Sequence, residues 1–177
     1  MFIKKSILTL LLGVTLMGCA SQNPPLEVVD NVDINKFMGD WYVIAFTPTF
    51  LDKTAHNAIE HYDLNEDGTV ATTYTFNKGA DDGPLKTYTP KGFPNEEHNN
   101  AIWGMQFIWP IKADYRIIYL ADDYSQTIIG RQKRDMVWIM ARTPTISDAD
   151  YKKLEEFVLS KGYTKDQFKL MPQSGRR

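Results

Sequence analysis

Residues 39–46 read Gly-Asp-Trp-Tyr-Val-Ile-Ala-Phe. A run this rich in aromatic and β-branched side chains behind a glycine is strand sequence. It is apolar on both faces, so a sheet built on it needs a core on one side and a cover on the other. From Asp40 to Arg142 comparable runs recur near 40–47, 57–64, 69–77, 86–93, 100–108, 114–121, 124–131 and 135–142, divided by turn sequences such as Asn65-Glu66-Asp67-Gly68. Eight short strands at this spacing predict an all-β fold, an eight-stranded up-and-down antiparallel β-barrel whose closure removes exposed strand edges.

Parity along the strands selects the interior. In 69–77, Val70, Thr72, Tyr74 and Phe76 share one face, and Ala71, Thr73, Thr75 and Asn77 share the other. The same alternation groups Ala58, Glu60, Tyr62 and Leu64; Trp103, Met105 and Phe107; Ile117 and Tyr119; and Met136, Trp138 and Met140. The cover for the outer faces is one C-terminal α-helix over about 147–161. Ser147 and Asp150 form a partial capping box, Tyr151, Leu154, Phe157 and Val158 make an apolar stripe, and Gly162 is the stop. Beyond it, 166–171 is short enough for a final strand beside the first.

The N-terminus is of another kind. Lys4 and Lys5 precede an apolar run from Ile7 to about Met17, too short for the ~20 residues of a membrane-spanning helix and typical of a secretory signal. Leu16-Met17-Gly18-Cys19 resembles a bacterial lipobox, which implies cleavage before Cys19, the single cysteine, and its lipidation. A lone thiol has no partner in its own chain for a disulfide, which fits a role outside the fold. Ala20 and Ser21 after the cysteine fit outer-membrane sorting in families of this kind. The expected organisation is a signal peptide over 1–18, a lipidated tether over 19–27, the barrel domain over 28–172 and a loose tail over 173–177. Loss of Lys4 and Lys5 moves the formal charge from −2 to −4, and no basic stripe tracks a phosphate backbone, so nucleic acid is not a partner.

Gly39-Asp40-Trp41, Asp123-Tyr124 and Arg142 resemble, in order and spacing, three short conserved regions of the lipocalins. The lipobox, the "FIWP" of 107–110 and the "VWIMARTPTIS" of 137–147 are similar to the bacterial members. Ala121-Asp122 departs from the pattern, which often has Thr before Asp-Tyr. The resemblance spans about 27–172 and implies a calyx closed at one end that holds fatty acids or lysophospholipids, in an outer-membrane lipoprotein serving the envelope.

Within such a barrel one end must be plugged if the other is to open as a cup. Inward parity makes Trp41 the plug, with the Arg142 guanidinium over its ring and Gly39 giving the backbone room. The ligand-binding candidates are Glu60, Tyr62, Tyr74, Phe76, Trp103, Met105, Phe107, Tyr119, Trp138 and Met140, which either fill the barrel as core or line a cavity for an acyl chain. Glu60 is the outlier. A carboxylate in an apolar cup needs a partner or a proton, unless a bulge turns this position to solvent. The connection 47–57 is a candidate lid through Phe50 and Leu51, and 107–114 belongs either to the same rim or to a protein or membrane contact through Ile108, Trp109 and Ile111.

The candidates contain no catalytic motif. His56 and His61, five apart, face opposite sides of a regular strand and hold no metal together without help from a bend. No nucleophile elbow or Gly-rich phosphate loop occurs, and no cofactor is expected. Three functions compete: a lipid binder, an envelope enzyme acting on a lipid or isoprenoid with Glu60 as acid or base, and a binder of a tetrapyrrole pigment. A homodimer is compatible with each.

Overall fold

A computed structural model describes residues 23–174. The signal sequence and Cys19 lie outside the described residues. The strands are β1 (Gly39–Phe46), β2 (Ala55–Leu64), β3 (Val70–Lys78), β4 (Leu85–Tyr88), β5 (Lys91–Pro94), β6 (Ile102–Ile108), β7 (Ile111–Leu120), β8 (Gln126–Gly130), β9 (Val137–Ala141) and β10 (Lys169–Leu170), with helices α1 (Ile34–Phe37) and α2 (Asp148–Ser160). Sequential neighbours pair antiparallel around the sheet, and β9 returns to β1 through Tyr42↔Ala141 and Phe46↔Trp138. The result is a closed barrel with eight staves. The fourth stave is broken into β4 and β5 at Thr89-Pro90, because a proline has no N–H to continue the ladder. Its carbonyl still accepts from Thr72 N at 3.1 Å.

The barrel has two ends. β1 runs from a closed end, where α1 and the β7–β8 turn gather, to an open end formed by the 47–54 connection and the β3–β4, β6–β7 and β8–β9 hairpins. Inside, one core cluster contains Phe37, Trp41, Val43, Phe46, Tyr62 and Trp103 among others. Outside, Ile44, Ala45, Ile118, Ile128 and Ile139 pack beneath Leu154 and Val158 of α2, joined by Leu26, Tyr163 and Phe168. The Ser147 hydroxyl caps α2 by accepting from Asp150 N at 3.1 Å, and Gly162 follows it with φ +93°. At Gly130 an added Cβ would stand 2.7 Å from the Tyr163 hydroxyl, so the outer cover closes directly on the strand.

Three features differ from expectation. α1 was not anticipated; Asp33 caps it by accepting from Asn35 N and Lys36 N, and it delivers Phe37 to the interior. The chain is ordered against the barrel before residue 28: Leu26 is buried and its N–H bonds Gln132 Oε1 at 2.9 Å, while Asn23 Nδ2 donates to Lys133 O. At the other terminus the tail is held through Ser174, since Gln173 Nε2 donates to Val43 O and Ala58 O at 2.9 Å each and Ser174 N donates to Asn57 Oδ1. Residues 175–177 lie outside the described set.

Candidate ligand-binding site

The closed end is built around Trp41. Its indole is buried, and Nε1 donates to Phe37 O at 2.8 Å, while the Phe37 ring lies 5.1 Å from it. The Arg142 guanidinium carbon sits 3.8 Å from the indole centroid. Its N–H groups donate to Asp40 O at 2.7 Å, Lys36 O at 2.8 Å and Phe37 O at 3.1 Å. One cation therefore covers the plug and ties carbonyls of β1 and α1 together. Gly39 serves differently from the reading of its sequence: an added Cβ would meet Arg142 Nη1 at an ordinary 3.5 Å, but the backbone stands at φ +91°, where an L side chain is strained.

Above this plug four predicted ligand residues are core. Tyr62, Phe76, Trp103 and Met140 are buried in the inner cluster and do not reach the cavity wall. Phe37 touches Tyr62 and Trp103 with ring centroids 5.7 and 5.5 Å apart, and Trp103 stacks on Tyr115 at 5.2 Å. This aromatic floor shortens the cup.

The remaining volume is a cavity of about 310 Å³ at the open end. Glu60, Tyr74, Met105, Phe107 and Trp138, all expected, line it. Phe107 does so from the rim, more than half exposed. Phe50 and Leu51 of the 47–57 connection also line it, as that segment's reading required.

Tyr119 is a correction. It lies outside the barrel, its ring 5.3 Å from Phe157 of α2 and its hydroxyl 3.4 Å from Lys153 Nζ. The cause is a register shift between Ile117 and Tyr119 against β8, which turns Ile118 and Tyr119 to the same outer face. Leu64, expected inside, is exposed at the end of β2.

A polar cluster stands in the cavity. Glu60 faces inward, and the strand's bulge lies earlier, between His56 and Ile59, where Asn57 takes φ +52°. The Tyr62 hydroxyl donates to Glu60 Oε2 and is 2.9 Å from the Tyr115 hydroxyl. On the lid side, Tyr74 donates to Asp52 Oδ2 at 3.1 Å, and Asp52 Oδ1 accepts from Thr49 N and Thr49 Oγ1. Burial pushes the Glu60 carboxyl up to about 7, with the Tyr62 hydrogen bond opposing and the Asp52 charge adding to the rise. Burial likewise pushes the Tyr62 and Tyr115 hydroxyls well above their usual value. Near neutral pH the site thus holds a carboxyl that gives or takes a proton easily, framed by three neutral phenols.

Asp52, Tyr115 and Arg131 line the cavity without having been singled out from the sequence. Tyr115 shares the parity of Ile117 and was accessible from the pattern of β7; Asp52 sits in a connection, where no periodicity marks it. Among the described residues no group of three or more His, Cys, Asp or Glu side chains could hold a metal. No helix there is long and apolar enough to cross a membrane.

A family model described as a lipocalin-like domain matches residues 32–173. The chain is a lipocalin. Among curated proteins, this lipocalin is 28% identical over 173 residues to temperature-induced lipocalin-1 of Arabidopsis thaliana, covering 87% of this chain and 86% of the relative. It is 28% identical over 163 residues to outer membrane lipoprotein Blc of Escherichia coli K12, with 90% of each chain covered. Among solved structures, insecticyanin from the tobacco hornworm Manduca sexta superposes with a TM-score of 0.67 at 15% identity, covering 85% of this lipocalin and 86% of that chain. That likeness carries the fold alone.

Proposed function

We propose that this lipocalin is a lipid-anchored protein of the outer membrane that binds and carries a single-chain acyl lipid, a fatty acid or a lysophospholipid, for upkeep of the envelope, and that it is a binder rather than an enzyme. The observation that carries the reading is the cavity itself: apolar walls of Met105, Phe107, Met136 and Trp138, a mouth open to solvent, and a few polar groups, the cluster around Glu60 together with Asp114 and Arg131. At about 310 Å³ it stands at the small end of the roughly 300–1,000 Å³ range of ligand sites, which suits one chain rather than two. The relatives named outer membrane lipoprotein, together with the lipobox-like Leu16-Met17-Gly18-Cys19, support the anchored location. Mass spectrometry of lipid that co-purifies with residues 20–177, followed by titration of the delipidated protein while tryptophan emission is watched, tests the reading. A stoichiometric fatty acid or lysophospholipid that shifts the emission is the expected result; a protein that ignores acyl lipids overturns it.

Glu60 favours a second reading. A buried carboxyl near pKa 7 is suited to proton transfer at neutral pH. An enzyme acting on a lipid in this cup would lose turnover in Glu60→Gln while keeping affinity.

A further inference from the structure

The apolar wall of the cup continues past its mouth. Phe50, Leu51 and Phe107 line the cavity and also reach the surface. Beyond them the β6–β7 hairpin holds Ile108, Trp109 and Ile111 in solvent, 73%, 82% and 69% exposed, and Phe50 is 88% exposed. An apolar patch of this kind, joined to a binding cavity, marks an interaction surface. A tryptophan at its apex is the side chain best suited to a boundary between water and hydrocarbon.

The charges are divided along the barrel axis. The three strand connections at the closed end, 65–69, 95–101 and 121–125, carry Glu66, Asp67, Glu96, Glu97, Asp122 and Asp123 and no lysine or arginine. Around the open end stand the exposed Lys53, Lys78, Lys86, Lys112 and Lys133, against Asp81, Asp82 and Asp135. The apolar rim is therefore ringed by a majority of cations, while at the far end carboxylates outnumber the two cations there, Lys36 and Arg142.

The start of the described chain lies on the same side. Asn23 is bonded to Lys133 O, and Gln132 donates to Pro24 O at 3.1 Å, both in the β8–β9 hairpin of the open end. Cys19 precedes Asn23 by four residues, at most ~14 Å of extended chain, whereas the ten residues of β7, tilted as barrel strands are, give the barrel a height of roughly 25 Å. An anchor on Cys19 cannot reach the closed end.

We propose that the open end is a membrane-docking face whose occupant is the surface of an anionic phospholipid bilayer, with the cup lying mouth-down and Ile108, Trp109, Ile111 and Phe50 entering the headgroup layer. The lysines complement anionic headgroups; a second copy paired symmetrically through the same face would set the same lysines against one another. An acyl chain then passes between bilayer and cavity along continuous apolar surface without crossing water. The role of the tether rests on the lipidated Cys19 of the function proposed above; the rim and its charge ring do not.

The test uses the full-length chain, produced with its leader, purified from membranes and reconstituted on vesicles of phosphatidylethanolamine and phosphatidylglycerol carrying bromine on their acyl chains. Bromine is expected to quench Trp109, and Trp109→Phe to remove most of that quenching. A reporter at the closed end, Glu97→Trp in the Trp109→Phe chain, is expected to stay bright; quenching there as strong as at Trp109 overturns the orientation. Ile108→Asp with Ile111→Asp, both exposed and harmless to the core, is expected to slow transfer of bound acyl lipid to vesicles about tenfold or more with affinity in solution unchanged; unchanged transfer overturns the proposal. The Cys19→Ser chain separates the two readings. It is expected to bind the vesicles weakly and in a salt-sensitive way, with Trp109 still quenched. If no acyl lipid binds while Trp109 still enters the bilayer, the cup reading falls and docking stands. If acyl lipid binds while Trp109 stays dry on every vesicle, docking falls alone and the rim is left for a protein partner.

Discussion

The guanidinium carbon of Arg142 lies 3.8 Å from the centroid of the Trp41 indole, and the same guanidinium donates to carbonyls of Lys36, Phe37 and Asp40. The last barrel strand, the first barrel strand and α1 thus meet on one side chain. A cation over an indole contributes roughly 0.5–2 kcal/mol, and the charge-assisted hydrogen bonds to the three carbonyls add to it.

Because this contact is remote from the cavity, Trp41→Ala is expected to lower stability by about 3–5 kcal/mol with little change in ligand affinity. Arg142→Lys should also destabilise, since one ammonium cannot serve three carbonyls and the ring face together. Thermal unfolding beside a binding titration checks both, and a loss of affinity larger than the loss of stability would contradict the plug.

Glu60 makes stability depend on pH in a stated direction. Its folded pKa of about 7 lies above the 4.5 of an unperturbed glutamate, so the folded state holds a proton that the unfolded state has released. Its contribution is full below about pH 4.5 and is lost as pH rises through 7, by up to roughly 3 kcal/mol. His61, raised by its hydrogen bond to Asp40, has the same sign and loses its contribution as pH climbs past its own raised value. Denaturant titrations of wild type and Glu60→Gln between pH 5 and pH 8 are expected to show a flatter slope in the variant, with the small residual slope belonging to His61. An equal slope in both would refute the buried carboxyl.

Two aromatic side chains that looked alike in the sequence should behave oppositely. Trp138→Ala, in the cavity wall, is expected to weaken binding of a fluorescent fatty acid about tenfold or more. Tyr119→Ala, beneath α2, should leave affinity unchanged and cost about 1–2 kcal/mol of stability through its lost contact with Phe157.

Lipidation is checked by fractionation. Cys19→Ser is expected to move the protein out of the salt-washed membrane fraction, since several acyl chains on one residue give firm attachment and the rim alone gives weak attachment. Retention after a high-salt wash would count against an acylated Cys19.

The barrel and its cover helix were legible because each rests on a local rule, alternation and a serine cap; the pairing of Trp41 with Arg142 was legible through inward parity on the first and last strands, which a closed barrel brings together. The cavity was legible only in part. Tyr119 was misassigned because a one-residue bulge after Ile117 reverses parity, and no residue type announces it. Phe37 and the short α1 were missed because four helical residues show no periodicity, although Asp33 carried a capping signal. Tyr62 and Trp103 were expected to line the cup; the unforeseen Phe37 packs against both and makes them its floor. The Glu60 cluster depends on distances between strands that no single-strand pattern contains.

The seam that closes the barrel joins residues far apart in the chain: Arg142 reaches Asp40 across 102 positions, and β9 lies against β1. During synthesis the first strand has one unsatisfied flank until nearly the whole domain has emerged, so an arrested or truncated chain presents Tyr42 to Phe46 as a bare, apolar, hydrogen-bonding edge. Folding of this protein is correspondingly an end-to-end event, slow for its size by topology, and loss of the stretch around Ala141 would yield a sticky fragment rather than a smaller cup.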